Sequence, residues 1–472
     1  MSQATAVPTQ GSATPPGRGA VLLRPLRIIG YGAGDAGCNV AFSMTGLFLL
    51  IYYTDVVGIR PADAGSIFLF VKVWDAFADI FAGRLVDRTM TRWGKFRPFL
   101  LWYSVPLLLA NIACFAVPDF SGYGQKLLYA YASYAILGLL YSLVNIPFGS
   151  LAGAMTQVPA ERSKLAGARM VGAGTTIMLL AVLLAPRLKE SANLQTTFVI
   201  TAAVLAVVGT ALFAFTFATA RESVYREVSH VTLRQTFSTL RHNGPLLRLC
   251  GSSLMYLTGQ NVVGAIALYF ARDVLGDVGL GAIVTIITTG AILYVGPFGP
   301  LVTRRLGKKR GFMLAALAAI VGGLVVLVSP GNVPASLAGL FLIGLAMALM
   351  NTMTWALEAD TVEFGEWKTG IRAEGGTYAA FSFTRKVGQA IGTGIVGYAL
   401  AFVGYQQSTG GQTVTQSAQT IEGIRLTMAL LPAGFFLFAF LLMWAYPLTE
   451  ARFRALLVDI EANRATRRAE LG

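Results

Sequence analysis

VWDAFADIFAGRLVDRTMTRWGKFR, residues 73–97, combines two features that a water-soluble protein would not put side by side. An apolar run carries two carboxylates, Asp75 and Asp79, and then breaks into a loop holding Arg84, Arg88, Arg92, Lys95 and Arg97. An ionisable residue at bilayer depth costs roughly 2.5–3.5 kcal/mol or more, so it marks a functional position by default. Asp75 and Asp79 stand four apart and share one helix face. Two carboxylates so close in a low dielectric cannot both stay bare. One binds a proton, or the two share a cation or a nearby Lys or Arg.

The rest of the chain has the same character. Of 472 residues 55% are hydrophobic and 13% charged, against roughly 25% charged in soluble domains. The mean hydropathy is +0.63. A spanning helix needs about 20 mostly apolar residues. Twelve windows qualify, at 28–53, 63–86, 97–117, 126–155, 166–186, 196–219, 246–272, 277–302, 311–329, 334–358, 376–404 and 423–446. The 52 glycines suit helices that pack backbone to backbone in lipid.

Lys and Arg sort by loop. Connections after windows 2, 4, 6, 8 and 10 are rich in them, as at Arg304, Arg305, Lys308, Lys309 and Arg310; the intervening ones are poor. The positive-inside rule puts the rich side, and with it both termini, in the cytoplasm. We expect a multi-pass membrane protein. The net charge of +14 is then an orientation signal, and no nucleic-acid partner is expected.

GRLVDRTMTRWGKFR at 83–97 is repeated as GPLVTRRLGKKR at 299–310, 216 residues on. Two repeated halves with a midplane site are a transporter signature. The division reads as a disordered cytoplasmic tail (1–24), a first six-helix half (25–219), a cytoplasmic linker (220–245), a second half (246–447) and a cytoplasmic tail (448–472). The first residues lack the pattern of a cleaved signal peptide. Both histidines, His230 and His242, fall in the linker, and the three cysteines lie in or beside apolar runs. That leaves no basis for a metal or acid–base centre inside the membrane, so we expect no enzyme and no cofactor. Cys38, Cys114 and Cys250 are expected to pack as apolar residues.

Other polar groups sit where lipid would reject them. Lys386 lies about ten residues into window 11, where it would neutralise the aspartates or hold a substrate acid group. Arg169 opens window 5, Asp35 and Asn39 are one turn apart in window 1, and Asn145 is central in window 4. They line a wet cavity or bridge helices. Tyr141 and Trp355 stack on a sugar ring or simply pack. Tyr52, Tyr53 and Trp444 read as interfacial aromatics, and Asp55 as a cap on the outer end of helix 1. Asp87, Arg92, Lys95 and Arg97, with Asp360, Glu363 and Arg372 in and after the acidic run 358–366, form either a cytoplasmic gate or solvated loops.

These stretches together resemble a known family. YYTDVVG (52–58), WDAFADIFAGRLVD (74–87), TRWGKFRPFLL (91–101), YSLVNIPFGSLA (141–152), WALEADTVEFGEWKTGIRAEG (355–375) and SFTRKVGQAIG (382–392) resemble the glycoside–pentoside–hexuronide:cation symporters, a branch of the major facilitator superfamily. The resemblance covers about residues 27–455. Together with MALLPAGF (428–435), the later motifs are most similar to the bacterial glucuronide carriers. It implies an all-α membrane protein with twelve helices in two pseudo-symmetric halves, importing a glycoside with a cation by alternating access. It implies that Asp75, Asp79 and Ser142 bind the cation. It implies that Arg169 and Lys386 are linked to the cation and sugar sites, and that Tyr141 belongs to the sugar site.

The departures from the family pattern also inform. Where the family's melibiose carriers place two further aspartates, this chain has Asn39 and Asn145. Two fewer carboxylates would stop repelling an anionic sugar, and Arg169 and Lys386 could then meet its acid group. Ala78 stands where sodium-using members often place an amide. That removes an oxygen from a site where sodium wants several, so the expected coupling ion is a proton, with sodium the alternative. A tryptophan of the family's sugar site falls at Asn351, one turn before Trp355. We expect a monomer in the bilayer that imports a glycoside, a glucuronide by the resemblance; the alternatives are another sugar class, a lysolipid, or a sugar carried without coupling.

Overall fold

The computed structural model describes residues 23–156, 158–184, 187, 193–222, 243–369, 374–407 and 414–471. Among these, no strand forms. The helices follow the hydropathy windows. They are α1 (Pro25–Tyr52), α2 (Pro61–Arg88), α3 (Arg97–Trp102), α4 (Ser104–Cys114), α5 (Tyr123–Met155), α6 (Pro159–Leu184), α7 (Leu194–Thr219) and α8 (Gly244–Tyr269). There follow α9 (Leu280–Ile287), α10 (Ala291–Val295), α11 (Gly299–Leu306), α12 (Lys308–Leu327), α13 (Val333–Thr369), α14 (Glu374–Phe402), α15 (Ala418–Trp444) and α16 (Glu450–Leu471).

Eight of the helical segments are long and apolar enough to cross a membrane. The others are explained by their sequence. In α2 the charges of Lys72, Asp75 and Asp79 interrupt the apolar run, and in α14 those of Arg385 and Lys386 do the same. Window 3 is broken at Tyr103 into α3 and α4, and window 8 into α9, α10 and α11 with a 3₁₀ turn between. At the second break Gly344 of α13 lies against the Ile287 carbonyl, where any Cβ would collide. The pieces are consistent with twelve spans in the arrangement of a major facilitator protein.

The burial pattern is that of a protein in lipid. Along α2 the exposed face carries Phe70, Phe77, Ile80 and Phe81, while Val71, Asp75 and Ala78 are buried. Apolar groups face outward and a carboxylate faces inward, the reverse of a soluble helix.

Several boundaries differ from the sequence expectation. Leu23 is buried, and its N–H donates to Glu161, so ordered chain reaches into the expected tail. Helix α6 begins at Pro159, seven residues earlier than the window, because Pro is well suited to a helix's first turn. Glu358, Asp360, Glu363 and Glu366 lie within α13, which runs on to Thr369; the acidic run is helix and not loop. The linker's histidines fall outside the described residues.

The first helix of each half ends in the same way. After Tyr52 the chain makes a π-helical turn, Tyr53–Val57, closed by Gly58 at φ 78. After Tyr269 it makes another, Phe270–Val274. Such turns are rare and concentrate at functional positions. Here they present Thr54 and Asp55 toward Tyr269 and Arg272.

Beside these turns α2 and α14 cross closely. A Cβ on Gly397 would lie 2.5 Å from the Pro61 carbonyl and 2.7 Å from the Gly65 Cα, and one on Gly65 would lie 2.5 Å from the Gly394 carbonyl. Both obstacles are backbone, so neither side can yield. Gly397→Leu is expected to cost about 1–3 kcal/mol through overpacking, seen as a lower Tm of the purified protein. Gly434→Leu on α15, with nothing within 4 Å of the added Cβ, is the control and should leave Tm unchanged.

Candidate functional site

Three ion pairs among the described residues involve Asp75, Asp79 and Asp35. On α2, residues 72, 75 and 79 share a face at helical spacing. Lys72 Nζ meets Asp75 Oδ2 at 2.9 Å, with the two side chains 18% and 8% exposed. Asp75 Oδ1 is buried and has no hydrogen-bond partner among the described residues. It lies against Gly138 of α5, where a Cβ would collide with it. Glycine there is what admits the carboxylate.

Asp79 has different partners. It accepts a hydrogen bond from Ser142 Oγ at 2.6 Å and pairs with Lys386, which arrives from α14. The third pair joins α1 to α6: Arg169 Nε donates to Asp35 Oδ1 at 2.7 Å, and Asn39 donates to the other oxygen at 3.0 Å. The helices holding it approach closely where Gly172 packs on the Gly32 carbonyl, leaving no room for a Cβ. Of the arrangements open to Asp75 and Asp79 in the sequence, the structure shows each with its own ammonium. Three carboxylates thus face three cations, and the formal charges cancel.

Beside the Lys72–Asp75 pair is an open cavity, a space of about 580 Å³ when the solvent at its mouth is counted. One wall is built from α1, α2 and α5 and carries Lys72, Asp75 and Tyr141. The facing wall carries Asn261 of α8 with Gln389 and Thr393 of α14. Tyr141 stacks on Phe42 with ring centroids 5.5 Å apart. Lys72 Nζ also lies 5.9 Å from the Phe42 ring and 5.7 Å from the Tyr134 ring, distances at which an aromatic face attracts a cation. An aromatic platform, amides and a hydroxyl from the far wall, and a charge at one end suit a polyhydroxylated ligand.

The remaining expected residues are placed as follows. Asn39 binds Asp35 and accepts from Ser43, so it is tied into the third pair. Asn145 is half-buried in α5 and makes no hydrogen bond to the described residues. Trp355 packs edge-on against Phe381 and under the Arg385 guanidinium, 4.9 Å away, and does not line the cavity. Asp87 lies on α2, its side chain outside the described residues, as is Arg372 altogether.

The basic loops are each held by a carboxylate from the chain that follows their half. The Glu222 carboxylate accepts from the backbone N–H of Lys95, Phe96 and Arg97 at 2.8–3.0 Å. This uses the free N–H groups at the start of α3. The Arg97 guanidinium donates to the Phe217 carbonyl, and Arg92 lies over Trp93. In the second half Glu450 accepts from the Lys308 N–H, and Lys308 Nζ grips both oxygens of Asp360 at 2.6 and 2.7 Å. Glu363 is half-buried on the same helix.

Bonds between the halves gather at the opposite end. Asp55, 4% exposed, accepts from Arg272 Nη1 at 2.9 Å and from the Tyr405 hydroxyl at 2.6 Å. Arg272 also binds Asp273 through two nitrogens, each at 2.8 Å. Thr54 and Tyr269 share a hydrogen bond of 2.8 Å, and Ser66 and Tyr398 one of 2.7 Å. Asp55 is therefore a bridge between halves and not a helix cap. Tyr52 and Tyr53 are fully buried against Phe115, Phe198 and Phe68 and are not interfacial. Trp444 is well exposed.

Sequence reading passed over Lys72, Asn261, Gln389, Thr393 and Arg272. Lys72 had a signal, a third charge in the same apolar run, three residues before Asp75. Arg272 carries no local signal, because its partners Asp55 and Tyr405 are far away along the chain. Single amides and hydroxyls in apolar helices give no signal of which cavity they face.

This arrangement is that of a membrane transporter: two sets of helices closed at one end, with a polar cavity between them. The chain belongs to the family described as MFS/sugar transport protein, which matches residues 30–450. It is 43% identical over 439 residues to the glucuronide carrier protein homolog of Escherichia coli (strain K12), covering 92% of this chain and 95% of that one. It is 30% identical to the isoprimeverose transporter of Lactiplantibacillus pentosus, covering 88% and 87%. Among solved structures, a D-xylose-proton symporter superposes with a TM-score of 0.60 at 14% identity, over 86% of this chain and 96% of that one. The likeness to that structure is one of fold.

Proposed function

We propose that this protein imports a glucuronide across the bacterial inner membrane in symport with a proton, by alternating access. The observation that carries the reading is the cavity between the halves, walled by Lys72, Asp75 and Tyr141 on one side and Asn261, Gln389 and Thr393 on the other. It offers hydrogen-bond partners for sugar hydroxyls and charge for an acid group. The relation to the glucuronide carrier protein homolog supports the substrate class. The basic loops mark the cytoplasmic end, so the closed end around Asp55 and Arg272 is periplasmic and the cavity is reached from inside.

A proton is favoured over sodium on physical grounds. Asp75 and Asp79 each already hold an ammonium group, and Ala78 supplies no side-chain oxygen to a metal ion that prefers several. A lysolipid is disfavoured because the cavity wall carries a lysine, a carboxylate and amides where a fatty chain would need apolar groups. The protein works as a monomer in this scheme, with no cofactor.

The test is uptake of labelled glucuronide, melibiose and xylose into proteoliposomes under separate proton and sodium gradients. Proton-driven accumulation of the glucuronide is expected, lost in both Asp75→Asn and Asp79→Asn. Accumulation of a neutral sugar in preference would overturn the substrate reading. Wild-type equilibration without accumulation under either gradient would make the protein a uniporter.

A further inference from the structure

We infer that Lys72 is the residue that reads the substrate's acid group, and that it does so by exchanging partners. In the empty site its ammonium rests on Asp75; with substrate bound it turns to the sugar's carboxylate, and Asp75 takes up one proton. This rests on the reading of the protein as a carrier of an acid glycoside and adds which group recognises the acid and where the proton goes.

Four observations lead there. Lys72 and Asp75 both line the cavity. Arg169 and Lys386, the cations singled out in the sequence, do not line it, and they are engaged by Asp35 and Asp79. Lys72 is bonded to a single carboxylate oxygen, Oδ2. The second oxygen of Asp75 is buried and has no hydrogen-bond partner among the described residues, so it is not already engaged by another group.

The charge count then fixes the proton. The pairs of Asp75, Asp35 and Asp79 are formally neutral as they stand. A carboxylate arriving from the substrate adds one negative charge in a low dielectric, and one proton on Asp75 cancels it. The groups around Asp75 are Lys72 and Asp79 on α2, Tyr134 and Tyr141 on α5, and Lys386 on α14. The cavity's contributions from α1 and α8, Thr45 and Asn261, are uncharged. Asp75 is the carboxylate freed by the exchange, since Asp79 keeps both Lys386 and Ser142. Substrate and proton move together as a neutral pair, and release reverses the exchange.

The experiment compares p-nitrophenyl β-glucuronide with p-nitrophenyl β-glucoside in proteoliposome counterflow. The two differ only in a carboxylate against a hydroxymethyl group. Wild-type protein should prefer the glucuronide, and Lys72→Gln should lower that preference about 10- to 100-fold, the worth of one charge-assisted bond. Lys72→Arg should keep the preference. A Lys72→Gln variant that loses both sugars in equal proportion would overturn the inference, as would loss of the preference in Lys72→Arg.

A second arm needs no variant. Wild-type uptake of the glucuronide under a pH gradient should be unaffected by an imposed membrane potential. One uncompensated charge would instead be concentrated roughly 50-fold by 100 mV. Accumulation driven by potential alone would overturn the exchange while leaving the glucuronide reading intact. Failure of wild-type protein to carry the glucuronide at all would overturn both.

Discussion

Arg272→Met is expected to open the end of the protein that is closed in this structure. Without the guanidinium, the buried Asp55 carboxylate keeps the Tyr405 hydroxyl as its hydrogen-bond donor of those described above. Removing one partner of a buried pair costs about 3–5 kcal/mol, because the other charge stays buried. That cost applies to the closed arrangement. Once the π-helical turns of the two halves part, Asp55 meets water. A bias of that size shifts the ratio of the two arrangements by roughly 10²–10³. The measurement is labelling of Thr393→Cys, a cavity residue, by a membrane-impermeant thiol reagent applied outside whole cells. Cys38, Cys114 and Cys250 are replaced by serine in the background. A steep rise in labelling is expected in Arg272→Met and a smaller one in Asp55→Asn with Arg272→Met, where no bare carboxylate is left behind. Labelling unchanged from the parent would mean that the glycine crossing of α2 and α14 holds this end shut without the ion pairs.

Lys386→Met is expected to abolish gradient-driven accumulation, with a fall of roughly 100-fold from truncating one member of a hydrogen-bonded charge pair between two moving parts. Lys386 belongs to α14 and Asp79 to α2, so this pair also joins the two halves. Its side chains are about a quarter exposed, at 26% and 28%. The loss should therefore fall on coupling more than on folding, since solvent screens part of the lone carboxylate's cost. Counterflow, which needs no gradient, should persist at a reduced rate. Accumulation retained in Lys386→Met would show that the pair is a structural tie, and loss of counterflow together with a lower Tm would show that the fold depends on it.

The two predictions bear on different stages of one cycle. The Asp55–Arg272 bridge holds one end closed, and the charges around the cavity decide what must be bound before it opens. A carrier gains coupling when the closed states are reached with a neutral site and resisted with an unbalanced one. The structure meets the first condition, with three carboxylates facing three cations.

Much of this was legible along the chain. The twelve apolar windows, the alternation of basic loops and the repeat of 83–97 at 299–310 depend on local composition, and lipid penalises each misplaced polar residue separately. The carboxylates of α2 were legible for the same reason. Lys72 was legible too, since its i, i+3 relation to Asp75 is local. Tyr52 and Tyr53 misled because an aromatic at the end of an apolar run suits a lipid interface or a core equally well. Neighbours from α2, α7 and the residue that follows α4 made them core. The acidic residues 358–366 misled because their charge suggested loop, whereas α13 continues past the apolar window as an amphipathic extension, with Asp360 turned to Lys308.

The sequence by itself determined the class of fold and the apolar windows, which follow from the cost of putting a given residue at a given depth, and its motifs carried the resemblance to the family. Only the tertiary structure decided the pairings: Asp79 with Lys386, Asp35 with Arg169, Asp55 with Arg272 and Tyr405, and a cavity walled by Lys72 on one side and Gln389 on the other. Those partners are separated by more than a hundred residues, and Coulomb attraction and hydrogen bonding act only across the few ångströms that helix packing brings about.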